Sequence, residues 1–158
     1  MNAWARFRAG LAYRQGKMYR FWGHRSVQRM FYEAAVAAFT RALAFDPDWI
    51  DVILDRGLIY WRELGQSARA IDDFSAILRL DPSRGDVLFY RGMAYQAQGD
   101  YFAAAEDLRA ALASSPQAIW RRNAYRQLTT IESILADLPP RLTQQDDLLL
   151  SADTSTPP

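Results

Sequence analysis

Few side chains in this 158-residue chain could perform chemistry. Two adjacent carboxylate pairs, Asp72-Asp73 and Glu106-Asp107, have the composition of a general acid–base couple. Such a couple needs one carboxyl displaced in pKa by burial or by its neighbour's charge. Both pairs sit at the same phase of successive amphipathic segments, which predicts a solvated face for them instead. His24 is the sole histidine, and no Ser or Cys stands where it would form a nucleophilic pair with it. One imidazole and no cysteine exclude His-rich and thiolate metal centres. Arg56-Gly57 and Arg91-Gly92 lack the further glycines of a phosphate-cradling loop. The residues predict no enzyme activity, no metal and no cofactor.

Composition bounds the rest. The chain is 50% apolar and 13% aromatic, enough for one domain with a sizeable core. Nineteen basic and 18 acidic side chains leave a formal charge of +1, with no overall pull toward nucleic acid. The distribution is uneven: residues 1–45 hold eight basic side chains and one acid, whereas the remainder is net acidic. No run of about 18 apolar residues predicts a membrane span, and no secretory leader is read. The expected setting is cytoplasmic and bacterial. All but one of the basic residues are Arg, which fits a GC-rich genome or chance.

The elements that would position any site repeat along the chain. Asp46-Pro47, Asp81-Pro82 and Ser115-Pro116 lie 35 and 34 residues apart. Twelve residues before each Pro stands Ala35, Ala70 or Ala104, followed four later by Phe39, Phe74 or Leu108. Upstream, Gly23, Gly57 and Gly92 lie mid-segment, with Ser26, Tyr60 and Tyr95 three residues later. Spacings of three and four predict helices. Gly or Ala where helices cross lets two backbones approach, and large apolar residues fill the space beside them. Gly65 and Gly99 predict helix-ending turns with positive φ. In the first unit that turn is expected at Met30-Phe31, without its Gly. A single helix pair cannot bury its own apolar face, so the pairs must stack.

This pattern resembles the tetratricopeptide repeat, whose signature is W-x₂-L-G-x₂-Y…A-x₃-F…P over about 34 residues. The third unit matches at Leu88, Arg91-Gly92, Tyr95, Gly99-Asp100-Tyr101, Ala104, Leu108, Ala111 and Pro116. The second carries one extra residue near Glu63, and the first is the most degenerate. The resemblance implies an all-α fold, an α-solenoid of antiparallel helix pairs. Its expected divisions are an N-terminal basic and aromatic helix at 1–15, repeats at 16–49, 50–84 and 85–118, a capping helix at 117–138 and a disordered tail at 139–158. Trp4, Phe7, Leu11, Met18 and Trp22 share one stripe, and Trp4 and Phe7 are expected to pack on repeat one. Ala118, Ile119, Ala124, Tyr125, Leu128, Ile131, Leu135 and Leu138 are expected to form the cap's sealing stripe. Arg56 and Arg91 replace the usual Leu, and each is expected to reach a carboxylate such as Asp73 or Asp107.

Proteins of this family hold peptides on the concave surface of their first helices. Carried over, the groove residues are Arg20, His24 and Val27, then Leu54, Leu58 and Trp61, then Phe89, Met93 and Gln96, with Asn123 and Gln127 from the cap. The Leu, Phe and Met positions break the set of Lys, Arg and Asn with which chaperone-binding members grip a terminal carboxylate. The expected function is a non-enzymatic adaptor or scaffold for an acidic and apolar peptide. Asp146-Asp147-Leu148-Leu149-Leu150 has that composition, so the tail is a candidate internal competitor or a route to self-association. Two alternatives are a membrane- or RNA-associating module acting through residues 1–30, for which the composition gives no strong sign, and a self-assembling scaffold subunit.

Overall fold

The computed structural model describes residues 3–114 and 119–137. The 139–158 tail, with its Asp146–Leu150 island, lies outside the described residues. Among the described residues seven helices follow one another: α1 (Ala3–Ser26), α2 (Arg29–Leu43), α3 (Ile50–Arg62), α4 (Ser67–Leu80), α5 (Gly85–Gln98), α6 (Tyr101–Ser114) and α7 (Arg121–Ala136). Consecutive helices pack against one another in chain order, so α1/α2, α3/α4 and α5/α6 form stacked pairs and α7 closes on α6. The protein is an all-α solenoid.

Three core clusters run along the stack, each shared by three consecutive helices. Phe39 and Ala35 of α2 meet Ala12 of α1 and Val52 and Ile59 of α3. Phe74 and Ile77 of α4 meet Ile53 of α3 and Val87 and Ala94 of α5. Leu108 and Ala104 of α6 meet Phe89 of α5 and Ala124, Leu128 and Ile131 of α7. Each second helix is thus buried between two first helices, which is how a pair that cannot seal its own face is stabilised.

Local sequence explains the turns. Gly65 and Gly99 adopt positive φ, +65° and +84°. Asp100 caps α6 by accepting a hydrogen bond from the Ala103 amide at 3.0 Å. At the Asp81-Pro82 corner, the Asp81 carboxylate accepts from the Ser83 amide at 3.1 Å and from its hydroxyl at 2.6 Å. Those bonds hold its pKa below the usual carboxylate range.

The first unit departs from the expected register. The helix-crossing glycine that meets Phe39 is Gly16, not Gly23. Gly57 meets Phe74 and Gly92 meets Leu108 in the same way. Tyr19 then falls three residues after its glycine, as Tyr60 and Tyr95 do. The α1/α2 hairpin is longer than the second unit's by six residues and than the third's by seven, about one turn per helix. Gly23 sits in that added turn, where it lies against Tyr32. The connecting turn is at Val27-Gln28 rather than Met30-Phe31, and Val27 takes a φ of +54° without a glycine.

Three burial expectations change as well. Trp4 and Phe7 are exposed, because they lie on the side of α1 turned away from Gly16 and Gly23, which meet α2. Ile119 stands in the turn before α7, and it and Tyr125 are exposed rather than sealing. Asp73 and Asp107 are buried instead of solvated, while Asp72 and Glu106 are exposed.

Candidate peptide-binding groove

The odd-numbered helices also touch one another and form an inner face. Arg20 of α1 reaches Asp55 of α3, Trp61 of α3 meets Tyr90 of α5, and Gln96 of α5 meets Gln127 of α7. With Gly16, Gly57 and Gly92 as equivalent points, the inner-face positions align as Tyr13, Leu54 and Phe89, then Lys17, Leu58 and Met93, then Arg20, Trp61 and Gln96. Tyr13, Lys17 and Arg20 therefore stand where Arg20, His24 and Val27 were expected, and His24 falls in the extra turn.

The basic end is neutralised from within. Asp55 accepts hydrogen bonds from the Tyr13 hydroxyl at 3.1 Å, from Lys17 Nζ at 3.4 Å and from Arg20. Burial, followed by the Asp55 charge and hydrogen bond, pushes the Tyr13 phenol up to about 12. His24 Nδ1 lies 3.2 Å from the Tyr32 hydroxyl and 3.9 Å from a Glu63 carboxylate oxygen. Burial and Glu63 together raise the Tyr32 phenol. Val27 is exposed in the turn.

The middle is aromatic. Trp61 and Tyr90 rings are 6.2 Å apart, and the Arg62 guanidinium lies over both, at 5.1 and 5.7 Å. Arg62 has no carboxylate partner among the described residues. Leu54, Leu58 and Met93 are half-buried, each packed along one side against the core. Phe89 is not available to a ligand: it is buried, with Trp120 stacked on it at 5.5 Å. At the far end, Gln96 Nε2 donates to Gln127 Oε1 at 3.2 Å, while Gln96 Oε1 is buried without a partner. Asn123 accepts from Arg126 at 3.1 Å on α7.

Behind this face, the two arginines form matching clamps. Arg56 donates to both Asp73 oxygens, at 2.9 and 2.6 Å, and to the Thr40 hydroxyl at 3.0 Å. Arg91 does the same with Asp107, at 2.7 and 2.7 Å, and Ser75 at 3.1 Å. Each guanidinium ties its own second helix to the preceding one. Burial raises the Asp73 pKa against the opposing pull of Arg56. Among the described residues, no group of three or more His, Asp or Glu side chains could hold a metal.

Residues 85–118 match the family model of the tetratricopeptide repeat. The third helix pair, α5/α6, thus matches the tetratricopeptide repeat in sequence. No curated protein sequence matches it. The first TPR domain of Spaghetti (RPAP3), solved with the HSP90 peptide SRMEEVD, shares 23% identity, with a TM-score of 0.70 over 84% of this chain and 96% of that one. The TPR2B domain of yeast Sti1, solved in complex with pHsp70, shares 20% identity, with a TM-score of 0.67 over 80% of this chain and 98% of that one. MamA shares 20% identity, with a TM-score of 0.70 over 81% of this chain and 64% of its own. At these identities the likeness establishes the tetratricopeptide fold.

Sequence reasoning missed Tyr13, Lys17, Asp55, Arg62, Tyr90 and Trp120. The Gly-x-x-Tyr spacing shared by Gly16, Gly57 and Gly92 would have given the first two. Trp120 had no such signal, because it reaches Phe89 from outside the repeat.

Proposed function

We propose that this chain is a non-enzymatic protein-interaction adaptor that holds a peptide segment along the face lined by α1, α3, α5 and α7. One observation carries the reading: that face presents a cation with no carboxylate partner among the described residues beside its apolar side chains. Arg62 is exposed and poised over the Trp61 and Tyr90 rings. It stands one turn from Leu58 and beside Trp61, which suits a segment with acidic residues beside large apolar ones. The similar domains solved with HSP90 and Hsp70 peptides support peptide binding as the use of this surface. A terminal carboxylate clamp is not supported, because Asp55 already holds Lys17 and Arg20.

Fluorescence anisotropy with two labelled probes tests this on a chain ending at Pro140. One probe is the chain's own acidic and apolar segment, residues 141–152; the other is SRMEEVD. The first is expected to bind, and Leu58→Arg with Met93→Arg to weaken it at least about 30-fold, the loss of two apolar anchors. SRMEEVD is expected to bind weakly. No binding of the 141–152 probe, or binding that ignores the double substitution, overturns the groove assignment.

A further inference from the structure

The face of α1 turned away from α2 has no counterpart in the other units. Five residues before and two after each helix-crossing glycine stand Val52 and Ile59 in α3, and Val87 and Ala94 in α5. All four are buried against the preceding second helix. The equivalent residues of α1 are Leu11 and Met18, which are 60% and 48% exposed. Trp4 and Phe7, 73% and 65% exposed, extend the same stripe toward the N-terminus, and Phe21 and Trp22 extend it the other way. No described residue covers it. Shallow cavities lined by Ala3, Trp4 and Phe7 and by Leu11, Arg14, Gln15 and Met18 open along it.

Charge and length identify the occupant. α1 contains no acidic residue. Lys17 and Arg20, on the groove side, are paired with Asp55. Arg6, Arg14 and Arg25 are exposed and have no carboxylate partner among the described residues. At 100° per residue, Arg14 and Arg25 fall within about 20° of Phe7, so the cations are set into the apolar stripe itself. A neutral apolar partner would strand those guanidinium groups without counter-charge. A second copy would bring two acid-free helices together. The outer face of α7 has apolar surface at Tyr125 and Ile134, but the charge set beside them is Arg126, so it supplies no acid to those arginines. An additional second helix of 14 residues, the length of α4 and α6, spans about 21 Å against about 36 Å for α1. It would leave Trp4 and Phe7 in water. A flat anionic interface meets all these conditions: it accepts a long stripe, lets Trp sit at headgroup level and supplies phosphates to arginine.

We propose that the outer face of α1 docks on an anionic lipid bilayer, with the helix lying in the plane of the interface. No helix among the described residues is long and apolar enough to cross a membrane, so the attachment is peripheral. It goes beyond the peptide groove and places that groove beside a membrane surface.

The test is co-sedimentation of the full chain with phosphatidylcholine vesicles, with and without about one third phosphatidylglycerol, at low and high salt. Binding is expected only with the anionic lipid and to weaken with salt. Arg6→Ser, Arg14→Ser and Arg25→Ser together should reduce partitioning about 100-fold, the effect of removing three surface cations. Phe7→Asp with Leu11→Asp should abolish it, whereas Phe102→Asp, an exposed apolar position on α6, should not. Circular dichroism of each variant separates lost binding from lost fold. No binding to anionic vesicles at low salt overturns the proposal. So does binding unchanged in the Phe7/Leu11 variant. A dimer in sedimentation velocity that dissociates on Phe7→Asp with Leu11→Asp would assign the face to a second copy, and RNA binding that outcompetes vesicles would assign it to nucleic acid; either overturns it.

Discussion

Asp55 controls what the basic end of the groove offers a ligand. Three side chains of α1, spaced by four and three residues, converge on this one carboxylate of α3. The Tyr13 phenol is raised to about 12, above its ordinary value of 10.0. The neutral Tyr13 contact therefore contributes its stability fully below pH 10 and loses it as pH rises through about 12. Asp55→Asn should move the Tyr13 midpoint back toward 10 but not reach it, because burial remains, and ultraviolet absorbance at 295 nm follows the change. An unmoved midpoint would mean that Asp55 does not hold the phenol. Residue types also explain the tight crossings. A Cβ on Gly57 would come within 2.8 Å of the fully buried Phe74 ring, and one on Gly92 within 3.2 Å of the Ala104 carbonyl oxygen.

At the scale of elements, the Arg–Asp–hydroxyl clamp is the recurring device. It was legible in the sequence in part: arginine at the slot usually held by Leu, one repeat apart, demanded a carboxylate. What the sequence did not show was that Asp73 and Asp107 would be buried, since the shared phase of the two carboxylate pairs predicted a solvated face. Asp107→Ala leaves the Arg91 guanidinium without its bidentate partner and should cost about 2–3 kcal/mol in urea unfolding. Arg91→Leu added to it should restore more than half, because an apolar side chain fits the slot. Failure of the double variant to recover would show that the pair matters through packing rather than charge. The longer α1/α2 hairpin is the other elemental departure. Its extra turns put Val27, a β-branched residue, at a positive φ that such side chains seldom adopt.

Across the whole molecule, stability is divided among three clusters joined in series. Each helix meets chiefly its neighbours in sequence, as in other solenoids. Phe39→Ala should therefore accelerate amide exchange in α1 and α2 far more than in α5–α7, read by hydrogen exchange and mass spectrometry. Uniform acceleration would mean the array opens as one unit. The two ends also differ in kind. The C-terminal end carries a helix whose outer face is rich in Thr and Ser, with Tyr125 exposed among them, while the N-terminal end presents Trp4, Phe7, Leu11 and Met18.

The sequence by itself determined the helix class, the pairing and the second and third units, because those are written in local spacing: Gly, Tyr, Ala and Pro at near-fixed offsets. It also determined that Arg56 and Arg91 need acids, since a guanidinium does not lose its charge. Only the tertiary structure decided the register of the first unit, where six or seven extra residues keep helical phase while shifting every contact by two turns. It alone decided that Asp55 spends the charge of Lys17 and Arg20, and that Trp120 covers Phe89. These depend on which helices meet across tens of residues, and periodicity within one helix carries no information about that. The stripe on α1 shows the division plainly: its apolar spacing was readable from the start, but only the packing showed that α2 meets the opposite side of the helix and that no described residue covers the stripe.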